Sequence, residues 1–427
     1  MVKFRYLHSL SLDRLIAFVL TILSFNFLHG QSKPNHYRGL CIARDNSLWI
    51  SGTKGTVLKK NQILQDHFDT LKTGFPRKDF RDIWAMNQQV AVAMSISDSA
   101  VVVKTTNGGV TWQLVYSNNE KGIFLDVIEI DPCTGIGVIL GDPMNGADSR
   151  KYFKGLFTKD YGSTWLEIPN GKWNEPLDTL ESFFAASGKS LRLLNTEFHR
   201  RKNKYVADFV FAGGGNNPSM HMVQIKYFDN KKGENPWKLL GVENTPVQLK
   251  GGEGWGCYSF ELGITGPGVA VGGNYSKVAF TGDSTGAIAS FSEGVFKKWQ
   301  SSILPPRGYR SGVCLSHEIS SDTIWRYFFN QHADNTAFLS HVFGNQVGFS
   351  EMKNKLKYIS ICTGTNGSDI SFDGGMKWYP LTIGLGYNSC EFYKGGVVFV
   401  GNKGAIEIVD FEELGKRFYS AFISSNS

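Results

Sequence analysis

Short apolar runs ending in glycine recur along the chain, separated by turns rich in Gly, Asn, Asp and Ser. Leu48–Gly52 (LWISG), Gly137–Gly141 (GVILG), Val269–Gly272 (VAVG) and Val397–Gly401 (VVFVG) are examples. Runs this short, built from β-branched and aromatic residues and bounded by turn formers, predict strands. No long stretch carries the 3.6-residue apolar period of an amphipathic helix. The composition points the same way, with 48 Gly, 31 Phe, 16 Tyr and 10 Trp against only 19% charged residues. Aromatic and β-branched side chains suit a pleated, half-buried surface, and glycine supplies the turns. The expected fold class is all-β.

The strands are organised as a repeat. Aromatic-led apolar segments start at Tyr37, Phe80, Phe124, Phe183, Tyr258, Tyr309 and Tyr387. Most are followed, one loop later, by a run ending in glycine. A second pattern, S/T-x-D/N-x-G-x-T/K-W, occurs at Thr105–Trp112, Thr158–Trp165 and Ser371–Trp378, with degenerate copies ending at Trp237 and Trp299. It describes a hairpin turn. Asn107, Asp160 and Asp373 cap backbone amides, Gly109, Gly162 and Gly375 take positive φ, and Trp112, Trp165 and Trp378 drop against a neighbouring sheet. This spacing resembles the Asp-box, or BNR repeat. Inner strand, second strand and box-bearing hairpin make one four-stranded blade, so seven starts predict a seven-bladed β-propeller with Asp-box hairpins. A repeat fold escapes the size limit of a single core, and residues 31–427 are read as one domain. Surplus length near 196–204, 213–222 and 316–357 is read as extended loops, where function usually sits.

The N-terminus changes the cellular picture. Lys3, Arg5 and Arg14 precede an apolar run from Leu15 to Leu28, then His29-Gly30-Gln31-Ser32. This reads as a signal peptide over residues 1–30, cleaved after Gly30, and the chain is expected to be exported, periplasmic or secreted. The run of about 14 residues is short for a membrane span, so no stable span is expected in the mature chain. Formal net charge is +7, falling to about +5 without the leader. The one dense basic run, Arg200-Arg201-Lys202, reads as a solvated loop, and no nucleic-acid module is present. The six cysteines form no CxxC pair; buried thiols are the expectation for most, and an oxidising compartment leaves room for one or two disulfides whose pairing the sequence does not assign.

Over nearly the whole mature chain the sequence resembles a bacterial branch of the photosystem II stability/assembly factor family. The residues that carry the resemblance include Tyr37–Leu40, Ser51–Gly55, Phe80–Ile83, Gly141–Pro143, Phe184–Gly188, Gly213–Gly215, Ala270–Tyr275, Gly308–Gly312 and Gly364–Asp369. The resemblance implies a seven-bladed Asp-box propeller with a non-catalytic assembly or binding role. Relatives loosely labelled oxidoreductases find no physical counterpart here. Gly252-Glu253-Gly254-Trp255-Gly256 and Gly213–Gly215 lack the dinucleotide-binding spacing and a following helix, so no cofactor is expected. No HExxH or comparable metal spacing and no GxSxG elbow occurs, so no metal site is expected.

Candidate site residues follow from the repeat. Arg38, Arg81 and Arg310 each come directly after a leading aromatic, which places three guanidinium groups at one end of the channel. Such a cluster suits a carboxylate, sulfate or phosphate on a protein partner or glycan. The competing reading is an internal network in which Asp82, Asp142, Glu181 and Asp369 neutralise the arginines. Asp142 reads first as a turn residue, Glu181 as a carboxylate at the channel mouth, and Tyr309 as a packing aromatic that also touches ligand. The function expected is a binding or assembly scaffold. The alternative is a sialidase-like glycoside hydrolase using an arginine triad. Against it, Phe80-Arg81-Asp82-Ile83 lacks the proline of the sialidase motif, and sialidases usually form six blades.

Overall fold

The computed structural model describes residues 34–426 except 97–98, 230–233, 264–266, 279–284, 293–294, 317–318, 345–347, 349–350, 353–355 and 357. The expected signal peptide lies outside the described residues. The described chain forms seven antiparallel sheets: five with four strands, one with five and one with three. Their leading strands are Tyr37–Ile42, Phe80–Ala85, Leu125–Ile130, Leu191–His199, Gly252–Leu262, Gly312–Ser316 and Tyr387–Tyr393. Each leading strand packs beside that of the next sheet, and the last packs beside the first. Sheets arrayed this way around an axis form a β-propeller.

The core is distributed between neighbouring sheets. Trp49 and Val57 of the first sheet pack with Phe80, Ala93 and Val103 of the second. Val127, Val138 and Phe157 of the third pack with Leu191, Phe209 and Ile225 of the fourth. Each of the larger side chains contributes roughly 1.5–3 kcal/mol on burial, so stability is built interface by interface. The glycines that end the second strands have a steric cause. A Cβ on Gly52 would stand 2.4 Å from His36 O, one on Gly141 2.2 Å from Phe124 O, and one on Gly401 2.2 Å from Gly386 O. In these three sheets the leading strand enters across the backbone of such a glycine.

Residues 105–112, 158–165 and 371–378 form turns that join third to fourth strands and share one hydrogen-bond scheme. Thr105 Oγ1 accepts from Gly109 N at 2.9 Å, and Asn107 Oδ1 from Thr111 N at 2.9 Å. Thr158 and Asp160 do the same for Gly162 N at 3.0 Å and Thr164 N at 2.8 Å. Ser371 and Asp373 serve Gly375 N at 2.9 Å and Lys377 N at 3.0 Å. The tryptophans pack onto the preceding sheet: Trp112 stands edge-on to Trp49, ring centroids 6.3 Å apart, and Trp378 lies among Val269 and Val271.

Several expectations are corrected. The fold is not purely β: helices occupy Ser321–Phe328, Thr336–Phe343 and Phe411–Asn426. The first two lie within the 316–357 insertion, and all three bury aromatic side chains against the sixth and seventh sheets. Their apolar stripes are narrow, and in 411–426 the stripe (Phe411, Leu414, Phe418, Phe422) is diluted by serines. Residues 196–204 are not a loop but the end of a long hairpin, Leu191–His199 with Lys204–Ala212, and 213–222 holds a short strand and the start of Ser219–Phe228. Phe183 does not start a strand; the fourth leading strand begins at Leu191. Tyr258 lies inside its strand and Tyr309 precedes its own. Trp299 is within the strand Val295–Ser301 and closes no box turn, while residues 281–283 of that degenerate copy lie outside the described residues.

Candidate functional site

The leading strands carry a repeated irregularity that decides which side chains reach the channel mouth. Register slips by one residue between Tyr37 and Gly39, Phe80 and Asp82, Leu125 and Val127, Cys257 and Ser259, and Tyr387 and Ser389. A β-bulge expels one residue from the ladder and re-aims it. The expelled residues are Arg38, Arg81, Asp126, Tyr258 and Asn388. Four of them, all but Asp126, line one cavity of about 320 Å3, joined by Tyr275 and Tyr309.

This register explains why the arginine triad does not assemble. Gly312 pairs with Thr363 just ahead of Gly364, as Gly39 pairs with Ser51 just ahead of Gly52. The sixth-sheet equivalent of Arg38 is therefore Ser311, and Arg310 sits one residue early. In a strand, one residue reverses the side-chain direction. Arg310 is accordingly buried, donating from Nε to Asp369 Oδ2 at 2.8 Å and from Nη1 to Asn366 Oδ1 at 2.8 Å. Asp369 also takes Arg307 Nε at 3.2 Å. Arg310 and Asp369 form a buried ion pair and do not line the cavity.

The two remaining arginines differ in partners. Arg81 Nε donates to Asp79 at 2.8 Å, and its Nη1 to Ala185 O at 3.0 Å. Arg38 has no carboxylate partner among the described residues; its one bond is Nη1 to Ala186 O at a long 3.5 Å. Burial, and then the neighbouring Arg81, pull the Arg38 guanidinium down to about 10. Two cations that repel one another and face open space are arranged to gain from an incoming anion. The opposite wall is aromatic: Phe184 stacks on Tyr258 at 3.8 Å, and Tyr309 stands edge-on to Tyr258 at 4.8 Å.

The cavity has a floor because the segment Phe183–Ser190 runs into the ring as a plug. Ala185 and Ala186 present their carbonyls to the two arginines, and Ser187 O accepts from Ser389 Oγ of the seventh sheet at 3.2 Å. Farther in, Lys189 Nζ bonds Glu261 at 3.2 Å and also Glu391, while Arg192 Nε meets Glu261 Oε2 at 3.1 Å. These buried cations hold Glu261 down at about 2 against the opposing effect of burial.

The other candidate acids line or brace the plug. Asp82 is buried, accepting from Ile83 N at 2.8 Å and Ile128 N at 2.9 Å, and burial raises it to about 8. Asp142 is not a turn residue: it sits at a bulge within the strand Gly137–Asn145 and accepts Phe183 N at 2.9 Å, with burial raising it to about 6. Glu181 does not face the mouth; it pairs with buried His221 Nε2 at 2.6 Å. Asp126 was not singled out in the sequence. It lies buried beside Asp142 and Arg81, and burial, then Asp142, push it well above the usual carboxylate range. Its signal was the glycine-anchored register, which puts Asp126 in line with Arg38 and Arg81 although a leucine, not an aromatic, precedes it. Tyr258 and Asn388 follow from the same register.

Neither a family model nor a curated protein matches the chain. Among solved structures, YCF48 from Cyanidioschyzon merolae is similar at 11% identity and TM-score 0.46, covering 88% of this chain and 96% of its own. YCF48 bound to D1 peptide is similar at 12% identity and TM-score 0.46, covering 88% and 95%. The RRP9 WD40 repeats are similar at 9% identity and TM-score 0.45, covering 88% and 89%. Likeness at this level carries no argument about function, and the propeller assignment rests on the sheets themselves.

Proposed function

We propose that the chain is an exported, seven-bladed Asp-box propeller of the photosystem II assembly factor type, acting as a scaffold that binds a protein partner through an anionic group at the channel mouth. The observation that carries the reading is Arg38, a guanidinium without an acid partner among the described residues, sharing a cavity with Arg81 and an aromatic wall. A carboxylate there would gain charge-assisted bonds from both arginines, each worth about 1.5–3 kcal/mol.

Calorimetric titration with a peptide bearing a free C-terminal carboxylate, its amidated counterpart and a uronate oligosaccharide tests the reading. Arg38→Ala is expected to weaken the carboxylate-bearing probe by roughly 10- to 100-fold, the equivalent of one such bond, with weakening by added salt. Equal binding of all three probes by wild type and Arg38→Ala would sink it. Preference for the uronate would shift the partner class from protein to glycan. Fractionation of the native host tests export separately.

A further inference from the structure

Cys314 and Cys390 face each other across the leading strands of the sixth and seventh sheets, with sulfur atoms 3.4 Å apart. Both side chains have no exposed surface and belong to the core that joins those two sheets. Both thiols also point at one acceptor, Ile361 O, at 3.7 and 3.5 Å. Two weak donors crowded on one carbonyl gain little from hydrogen bonding. A sulfur–sulfur bond is about 2.05 Å, so the two sulfurs have only about 1.4 Å to close.

No other cysteine is placed to compete. Cys362 follows Ile361, so alternation puts it on the other face of the sixth sheet, among Val269, Val271 and Val313. Cys257 is buried between the fourth and fifth sheets, Cys41 is bonded to Ala85 of the second sheet, and Cys133 is exposed beside Arg44. All six thiols are free in the structure.

We propose that Cys314 and Cys390 form a disulfide, joining the sixth sheet to the seventh, when the chain folds in an oxidising compartment. The seventh sheet has three strands among the described residues, one fewer than the sixth and the first, and the bond would tie it to the sixth. The bond forms by exchange. One cysteine thiolate attacks an external disulfide, of glutathione or a thiol oxidoreductase, giving a mixed disulfide and releasing one thiol. The second cysteine then displaces the other, so two protein thiols are oxidised while one disulfide is reduced to two thiols.

Burial sets the timing. In the folded chain the pair is inaccessible, and burial holds the Cys314 thiol in its protonated, unreactive form. Exchange therefore precedes docking of the two sheets, and the finished bond is shielded from reductant. The redox state of the pair records where the chain folded.

In the cell this rests on export, but the geometry is testable without it. The full chain is unfolded, refolded in a glutathione redox buffer, alkylated in denaturant and mapped by mass spectrometry. The expected result is four alkylated cysteines of the six and a reducible Cys314–Cys390 peptide pair. Chain already folded with reduced thiols should keep all six through the same buffer. Six alkylated cysteines after oxidative refolding, or a link between any other pair, overturns the proposal. A link found on refolding but missing from chain isolated from its host counts against export and leaves the pairing standing.

Discussion

Gly188 packs so closely on Asp82 that a Cβ added to it would stand 2.1 Å from Asp82 Oδ1, and its φ of +69° is one that other residues rarely adopt. Asp82 cannot easily yield, since its two oxygens hold Ile83 N in its own sheet and Ile128 N in the next. Gly188→Ala is therefore expected to lose about 1–2 kcal/mol to the left-handed backbone and a further 1–3 kcal/mol to overpacking. Urea unfolding measures the sum. A loss below 1 kcal/mol would mean that the plug is not seated against the second sheet.

Arg310 and Arg38 look alike in sequence but should behave as opposites. Arg310 is 1% exposed and its partner Asp369 is 0% exposed, so Arg310→Ala leaves the buried carboxylate only the largely exposed Arg307, and should cost up to about 3–5 kcal/mol. Arg38 is half-buried and unpaired with any acid among the described residues, so Arg38→Ala should change stability by only about 0.5 kcal/mol. Thermal and urea unfolding of the two variants side by side decides the matter; equal losses would contradict the difference in pairing.

The succession of short antiparallel strands was legible because strand runs, turn glycines and hairpin turns obey local rules that survive folding. Two kinds of feature were not. Arg310 was aligned with Arg38 by its leading aromatic, yet the register is set by the second-strand glycine that the chain must cross, and Gly364 faces Tyr309 O where Gly52 faces His36 O. The helix Phe411–Asn426 carries an apolar stripe thinned by serines, and that stripe is partnered by aromatics from an insertion some 80 residues earlier, a relation no local pattern contains. The plug is similar: Ala185 and Ala186 are unremarkable as letters and matter through their carbonyls.

Stability should fall as pH rises through neutrality. Burial raises Asp82 from an ordinary value of 3.8 to about 8, so between those limits the folded chain holds a proton that the unfolded chain has released. That contribution is complete below about pH 4, shrinks as pH climbs, and is gone once pH passes the folded value near 8. Glu129, raised to about 7 by burial, adds in the same direction, whereas Glu261, held at about 2, is lost only in strong acid. One proton can contribute at most about 1.4 kcal/mol per pH unit. Urea unfolding at pH 6 and pH 8 should show a more stable chain at pH 6, with a smaller difference in Asp82→Asn. An unchanged difference would show that Asp82 is ionised throughout.

The three helices should form a unit whose loss leaves the rest of the ring standing. Phe418 is buried at their centre, its ring 5.1 Å from Phe372 of the sixth sheet, 5.5 Å from Phe338 and 6.2 Å from Phe329. Truncating it leaves a cavity bounded on several sides by aromatics that cannot all collapse, and Phe418→Ala is expected to cost about 3–5 kcal/mol. Because each sheet buries its core only against its neighbours, that cost should stay local. Native-state hydrogen exchange should quicken in Ser321–Phe328, Thr336–Phe343 and Phe411–Asn426, while strands of the second and third sheets keep wild-type protection. Uniform loss of protection around the ring would show instead that the helices are integral to closing it.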